Sequence, residues 1–301
     1  MLPDFIGIGP PKTGTTWIFR NLQSHPDVRL PTIKETHFWG RDQDKGQMLE
    51  EYASFFSEIP PDVVTGEIST DYFSNPIVAK RLAYYLPDVK LFTILRNPVD
   101  QVQSHFWHLQ RQQFHQWTRE GAPETLKDGL ENERIRNMLI EPALYSKQLV
   151  RWLRYFSKDK LLILFFDDMK DNPNIFLSSI FNHLGVGSDF KPSKLEPKGS
   201  AVRGGTSPRS PAHEHVRAFL YEKLVRKIYH PLKKRIGVHR AAHLKEILRV
   251  RESMDWLFRK KGYPEMNSTT KRKLENEFHD DVRSLEELAD RDLSHWIARR
   301  D

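Results

Sequence analysis

The chain has 301 residues, 38% apolar and 11% aromatic, enough for a packed core and unlike collagen, a coiled coil or a wholly disordered chain. It has no cysteine, which excludes disulfides, thiolate metal sites and thiol nucleophiles. Its net charge of +7 is uneven: residues 199–301 hold 23 basic and 15 acidic residues (+8), residues 1–198 hold 24 and 25 (−1), so the basic end suits an anionic partner.

In chain order, residues 4–9 read as a short buried strand, and a helix follows from about Thr15 to Ser24, stopped by His25-Pro26. Residues 63–67 are a second strand candidate. Pro76 to Leu86 reads as a helix ending at Pro87. Residues 90–96 form the strongest strand, and Asn97-Pro98 opens a helix through about Gln113. An apolar run at 160–166 precedes a helix near 174–184. Strands alternating with helices predict an α/β fold, a parallel sheet flanked by helices. Residues 186–211, rich in Gly, Ser, Pro and Lys, read as a long loop. Beyond it only helices are expected, near 213–236, 241–260, 269–289 and 290–298, with Leu285, Leu288, Leu293 and Trp296 as an apolar stripe. The expected organisation is one domain over 1–301, with an α/β core at 1–186 and a loop and helical extension at 187–301. No stretch reaches the roughly 18 apolar residues of a membrane span. The first residues lack the features of a signal peptide, so the expected location is cytoplasmic.

Between the first strand and the first helix stands Gly9-Pro10-Pro11-Lys12-Thr13-Gly14-Thr15-Thr16. Gly9 and Gly14 have the spacing of a Walker A loop, G-x-x-x-x-G-K-[ST], but Thr15 occupies the lysine position and the lysine lies earlier, at Lys12. Glycines let backbone N–H groups wrap an oxyanion, and the helix N-terminus adds a positive field. A phosphate is therefore expected here, and magnesium-dependent ATP hydrolysis is disfavoured. Leu95-Arg96-Asn97-Pro98 closes the strongest strand, where open α/β sheets bind ligands, and Ser104 lies two turns into the next helix. The planar fork of Arg96 suits a phosphate dianion, with the Ser104 hydroxyl as a second donor.

Pro11-Lys12-Thr13-Gly14-Thr15-Thr16-Trp17 resembles the 5′-phosphosulfate loop of sulfotransferases that use 3′-phosphoadenosine-5′-phosphosulfate (PAPS), and Arg96 with Ser104 resembles the 3′-phosphate site of that family. The resemblance implies a P-loop-like fold with PAPS as co-substrate and adenosine 3′,5′-bisphosphate as product. It implies that Lys12 assists the leaving phosphate oxygen, that Thr13, Gly14, Thr15 and Thr16 hold the 5′-phosphate, and that Trp17 borders the adenine. Lys34-Glu35-Thr36-His37-Phe38 resembles the Lys-Glu-x-His-Phe segment of the glycosaminoglycan-type and some bacterial members. By that likeness Glu35 is the general base and His37 orients it or the acceptor. Gly66-Glu67-Ile68-Ser69-Thr70-Asp71-Tyr72-Phe73 resembles a Glu-x-[ST]-x-x-Tyr-Phe region, and Asp71 is the second choice of base. Arg203-Gly204-Gly205 best fits the family's loop over the nucleotide, with Lys198 and Arg209 as alternatives. His105 and His108 follow Ser104, His108 on the same helix face.

The implied reaction is metal-independent, in-line sulfuryl transfer to an acceptor hydroxyl or amine. No metal-site pattern is present. A nucleotide-dependent kinase is the alternative. A nucleic-acid partner is not expected, because no binding module accompanies the basic charge. The acceptor, whether small molecule, saccharide or carrier-bound, is expected against segments 34–40, 71–75, 105–115 and 116–145. Its identity and the oligomeric state stay open.

Overall fold

The computed structural model describes residues 1–41, 48–117, 123–192, 206–210, 212–213, 216, 219–220, 223 and 257–297. They fall into two compact units: 1–105 with 133–202 and 267–301, and 106–132 with 203–266.

The first unit carries a five-stranded sheet in the order β2-β3-β1-β4-β5, parallel throughout. Its strands are β1 (Phe5–Gly7), β2 (Val28–Arg29), β3 (Val64–Ile68), β4 (Lys90–Leu95) and β5 (Leu161–Phe165). Parallel neighbours need crossovers, and α1 (Thr15–Ser24), α2 (Met48–Ser54), α3 (Val78–Tyr85) and α4 (Pro98–Trp117) lie in those connections. The chain then runs through α5 (Leu126–Glu131), α6 (Glu133–Ile140), a 3₁₀ turn (Glu141–Ala143) and α7 (Tyr145–Trp152). After β5 come α8 (Phe166–Asp171), α9 (Pro173–Leu184) and, much later, α10 (Ser268–Ala289).

Local chemistry sets these boundaries. Asn97 accepts from the amides of Val99 (3.0 Å) and Asp100 (3.4 Å) and so caps α4, with Pro98 first in the helix. Asn172 does the same for α9 through Ile175 N–H (3.2 Å), again followed by proline. Phe5, Ile68, Phe92 and Ile94 of the sheet bury against Ile18 and Leu22 of α1 and Phe176, Ile180 and Phe181 of α9. Each such side chain contributes about 1.5–3 kcal/mol on leaving water.

α10 packs along α7. Its buried Leu274, Phe278, Val282 and Leu285 recur at helical spacing. Asp281 accepts from Ser146 Oγ (2.5 Å) and from the amides of Ser146 and Lys147 (both 3.1 Å), fixing the start of α7. Past α10, Arg291 grips Asp168 with two hydrogen bonds (2.5 and 2.6 Å). Trp296 donates its indole N–H to Asp167 (2.9 Å), while its carbonyl accepts from Asn97 Nδ2 (3.1 Å).

In the second unit β6 (Thr206–Pro208) pairs antiparallel with β7 (Arg259–Lys261), and Trp107 stacks on Tyr263 at 6.4 Å. The helices-only expectation beyond residue 211 is therefore corrected. Residues 259 and 260, the end of the helix expected over 241–260, form a strand with Lys261, because their partner lies in the segment read as loop. Residues 290–297 are corrected likewise: Asp290 turns left-handed (φ 48°), and among the described residues only a 3₁₀ turn, Ser294–Trp296, follows. The strands β1, β3, β4 and β5 and the helices α1, α3, α4, α9 and α10 stand within a few residues of their predicted places.

β1 sits tightly between β3 and β4. A Cβ on Gly66 would collide with the Phe5 carbonyl oxygen and ring, and neither can retreat. Gly66→Ala is expected to cost about 1–3 kcal/mol of stability, measured by urea denaturation.

Candidate active site

The loop from Gly9 to Gly14 leaves the C-terminal end of β1 and enters α1. Gly9 and Gly14 have φ of 97° and 96°, values that glycine alone adopts without strain. Gly9 has no room for a side chain either, since a Cβ there would lie 2.6 Å from the Thr70 carbonyl oxygen, whereas one on Gly14 would meet the flexible end of Met169 at 2.9 Å. Lys12 is also left-handed (φ 69°), a conformation that costs a non-glycine residue about 1 kcal/mol or more and concentrates at functional positions. Thr13 Oγ1 donates to the Pro10 carbonyl (2.8 Å), and Thr93 Oγ1 to the Gly9 carbonyl (2.6 Å), so the turn is held from within and from β4. The first N–H groups of α1 have no partner inside the helix, which makes the turn a cradle for an oxyanion.

Arg96 follows β4 directly. Its Nη1 donates to the Lys12 carbonyl (3.4 Å), its Nη2 approaches Asp100 Oδ2 (3.5 Å), and its guanidinium lies 4.8 Å from the centre of the Phe166 ring. Its Nε is buried without a hydrogen-bond partner. A buried donor without an acceptor is costly, and a phosphate oxygen would supply one. Gln101 Nε2 donates to the Pro11 carbonyl (3.0 Å), a second tie between α4 and the loop. Ser104 is buried on α4. His105 beside it is also buried, which pushes its pKa down to about 3, with Lys12 adding to the effect, so its ring is neutral. His108 belongs to the second unit, where it meets Arg111 (3.5 Å).

A cluster of ionisable side chains forms at the end of β3. Glu35 pairs with Lys34 and accepts from Thr70 Oγ1 (2.8 Å). His37 stands between two carboxylates, with Nδ1 2.8 Å from Asp71 Oδ1 and Nε2 3.7 Å from Glu35 Oε2. Its pKa is raised above the ordinary 6.5, first by the hydrogen bond to Asp71, with the charges of Asp71 and Glu35 adding and burial opposing. His37 too is left-handed (φ 52°). Thus Asp71, considered apart from Glu35 and His37 in the sequence, forms one group with them. Thr70 ties that group to the loop: its backbone lies against Gly9 and its hydroxyl is on Glu35.

Sequence reasoning noted Glu67 within the Glu-x-[ST]-x-x-Tyr-Phe motif but gave it no role. It is fully buried in β3 and surrounded by hydroxyl groups, and burial raises its pKa against four side-chain hydrogen bonds that lower it. A single acid inside an otherwise apolar or small-residue strand was the available signal. Phe166 and the Asp167-Asp168 pair, which link the Arg96 side of the site to residues 291–296, carried no such signal. Trp17, expected beside the adenine, is buried in the core with its ring edge-on to Phe176 at 6.3 Å. Arg203, Gly204, Gly205 and Lys198 lie outside the described residues, while Arg209 follows β6 in the second unit.

Residues 2–197 match the family model described as sulfotransferase domain. The chain is 33% identical over 204 residues to the bifunctional heparan sulfate N-deacetylase/N-sulfotransferase 4 of Mus musculus. It is 32% identical over 206 residues to the corresponding enzyme 2 of Homo sapiens. Each match covers 62% of this chain and 22% of the relative, so the chain spans about a fifth of the length of these curated relatives. Among solved structures, a sulfotransferase from Alicyclobacillus acidocaldarius aligns with a TM-score of 0.54 at 25% identity, covering 75% of this chain and 94% of that one.

Because Asp71 raises the pKa of His37, Asp71→Asn is expected to lower it, as read from the ring-proton shifts in an NMR titration. A raised pKa gives stability that is complete below the unfolded value of about 6.5 and is lost as pH rises through the folded value. The stability gap between wild type and Asp71→Asn is therefore expected to be largest at pH values below about 6.5 and to narrow as pH rises above it through the raised pKa of folded His37, measured by urea denaturation.

Proposed function

Since the chain belongs to the sulfotransferase family, we propose that it moves the sulfuryl group of PAPS to an acceptor hydroxyl or amine. The observation that carries this reading is the double role of Thr70, which joins the phosphate loop at Gly9 to the carboxylate Glu35. A phosphate-binding turn and a proton acceptor are thereby held at one edge of the sheet.

The residues present suit a nucleotide with two separate phosphate groups. The Lys12–Thr16 turn would take the 5′-phosphosulfate. Arg96, whose Nε lacks an acceptor, would take the 3′-phosphate together with Ser104. In the transfer, the acceptor oxygen or nitrogen bonds to sulfur as the bond from sulfur to the bridging phosphate oxygen breaks. Glu35 takes the proton that the acceptor loses. Lys12 neutralises the charge that the electron pair leaves on the bridging oxygen, so the proposed chemistry calls on no metal ion. His37, between Glu35 and Asp71, holds the carboxylate in place and offers the proton a way out.

Thr15 at the Walker lysine position, together with the family match, disfavours the kinase reading. Among the described residues no helix is long and apolar enough to cross a membrane. The names of the heparan sulfate relatives make a saccharide amine or hydroxyl the first acceptor to try, ahead of small phenols and carrier-bound alcohols.

The test begins with calorimetric titration of adenosine 3′,5′-bisphosphate without magnesium, beside ATP and 5′-AMP. Selective binding of the bisphosphate is expected, and no preference for the 3′-phosphate would overturn the reading. Arg96→Ala is expected to weaken that binding by about 1.5–3 kcal/mol, and Lys12→Ala to impair PAPS use. Glu35→Gln is expected to lower turnover by about 10²–10⁴ while leaving bisphosphate affinity intact. If Asp71→Asn does so instead, the base is Asp71.

A further inference from the structure

We propose that Glu67 is a positioning residue for the catalytic loop: a buried carboxylate onto which the backbone of residues 36–39 is hung, so that it sets where Glu35 and His37 stand. The inference rests on the role given to Glu35 above.

Every partner of Glu67 is neutral. Its Oε2 accepts from Thr36 Oγ1 (2.6 Å), Thr36 N–H (3.3 Å) and Ser69 Oγ (3.0 Å), and its Oε1 from Tyr52 OH (2.8 Å) and Tyr72 OH (3.0 Å). Two carboxylate oxygens offer about four lone-pair sites. Five neutral polar groups converge on them and enclose both oxygens in hydrogen bonds. Hydroxyl groups thus stand in for the water that the carboxyl group gave up.

The loop amides end on the same group. Thr36 N–H donates to Glu67 itself, and His37 N–H to Ser69 Oγ (3.4 Å). Phe38 N–H donates to Thr36 Oγ1 (3.2 Å) and Tyr72 OH (3.0 Å), and Trp39 N–H to Tyr72 OH (3.3 Å). Four successive backbone donors therefore finish on Glu67 or on a hydroxyl that Glu67 holds. Thr36 is buried between the two partly exposed residues of the cluster. Tyr72 and Thr70 flank Asp71, so the third member of the cluster is fixed from the same side. A shift of Thr36 displaces Glu35 and His37 together, and a misplacement of about 1 Å can cost about 10²-fold in rate.

Glu67→Gln keeps the shape and turns one acceptor oxygen into a donor that faces hydroxyl donors. Three quantities are measured on the full chain: bisphosphate affinity by calorimetry, PAPS hydrolysis with water as acceptor, and the His37 pKa by NMR. Hydrolysis is expected to fall at least about tenfold, with bisphosphate affinity within about twofold of wild type and the His37 pKa moved toward 6.5. An unmoved His37 pKa overturns the positioning role, as does hydrolysis within about twofold of wild type or a loss matched by lost bisphosphate affinity. If Glu67→Gln does not fold, Thr36→Val and Thr36→Ser decide: the serine is expected to retain hydrolysis and the valine to lose it, and equal rates overturn the proposal. Failure of wild type to bind bisphosphate would instead strike the reading of the reaction, and the His37 shift would still judge Glu67.

Discussion

The site depends on how closely β1 is seated between β3 and β4. Gly66 leaves no room for a side chain over Phe5, and Phe92 lies 2.7 Å from where a Cβ on Gly7 would stand. At that spacing the chain leaving β1 must pass within contact distance of Thr70 and accept hydrogen bonds from Ile94 N–H (3.3 Å) and Thr93 Oγ1 through the Gly9 carbonyl. The phosphate turn is therefore suspended from both neighbours of its own strand. Residues after β3 become the Glu35 side of the site, and Arg96 after β4 becomes the other. One packing constraint in the sheet thus brings together three chain segments that are far apart in sequence.

The two halves of the site are stabilised by different physics. On the Arg96 side the contacts are charge-assisted and partly open to solvent, as in the Arg96 contact over Phe166 and the Arg291–Asp168 fork. On the Glu35 side, a partly exposed cluster of ionisable groups rests on a fully buried carboxyl group with only hydroxyl and amide partners. Such a network has low tolerance for a missing member, because each group left alone in the interior loses its solvation without replacement. The polar floor therefore favours a single arrangement, as a site that must aim a carboxylate requires.

Much of this was legible in the sequence. The apolar runs at 90–96 and 160–166, the Asn-Pro helix starts and the glycine spacing around Lys12 are local signals, and local signals placed the central strands and the phosphate turn. β2, only two residues long, has no periodicity to read. The β6–β7 pair joins segments about fifty residues apart, and neither shows a strand pattern alone. In the candidate site, the residue types at 12, 35, 37, 71 and 96 marked them as candidates. That Glu35, His37 and Asp71 form one cluster was not visible, because their contacts span 34 residues and depend on the left-handed turn at His37. Glu67, with Ser69 and Tyr72, stood in a motif noted in the sequence but received no role, because its other partners, Thr36 and Tyr52, join it only when β3 and the segments before it come together.

The grip of residues 291–296 on Asp167, Asp168 and Asn97 bears on how the molecule is made. These contacts join the segment after α10 to groups more than 120 residues earlier, and the second unit's residues 203–266 lie between them in the chain. During synthesis the sheet and the phosphate turn have emerged long before that segment does. Until it arrives, Asp168 lacks the Arg291 fork, Asp167 keeps Lys170 (3.5 Å) but lacks the Trp296 indole, and Asn97 lacks one of its partners. The walls of the candidate site are therefore synthesised well before the brace that holds them.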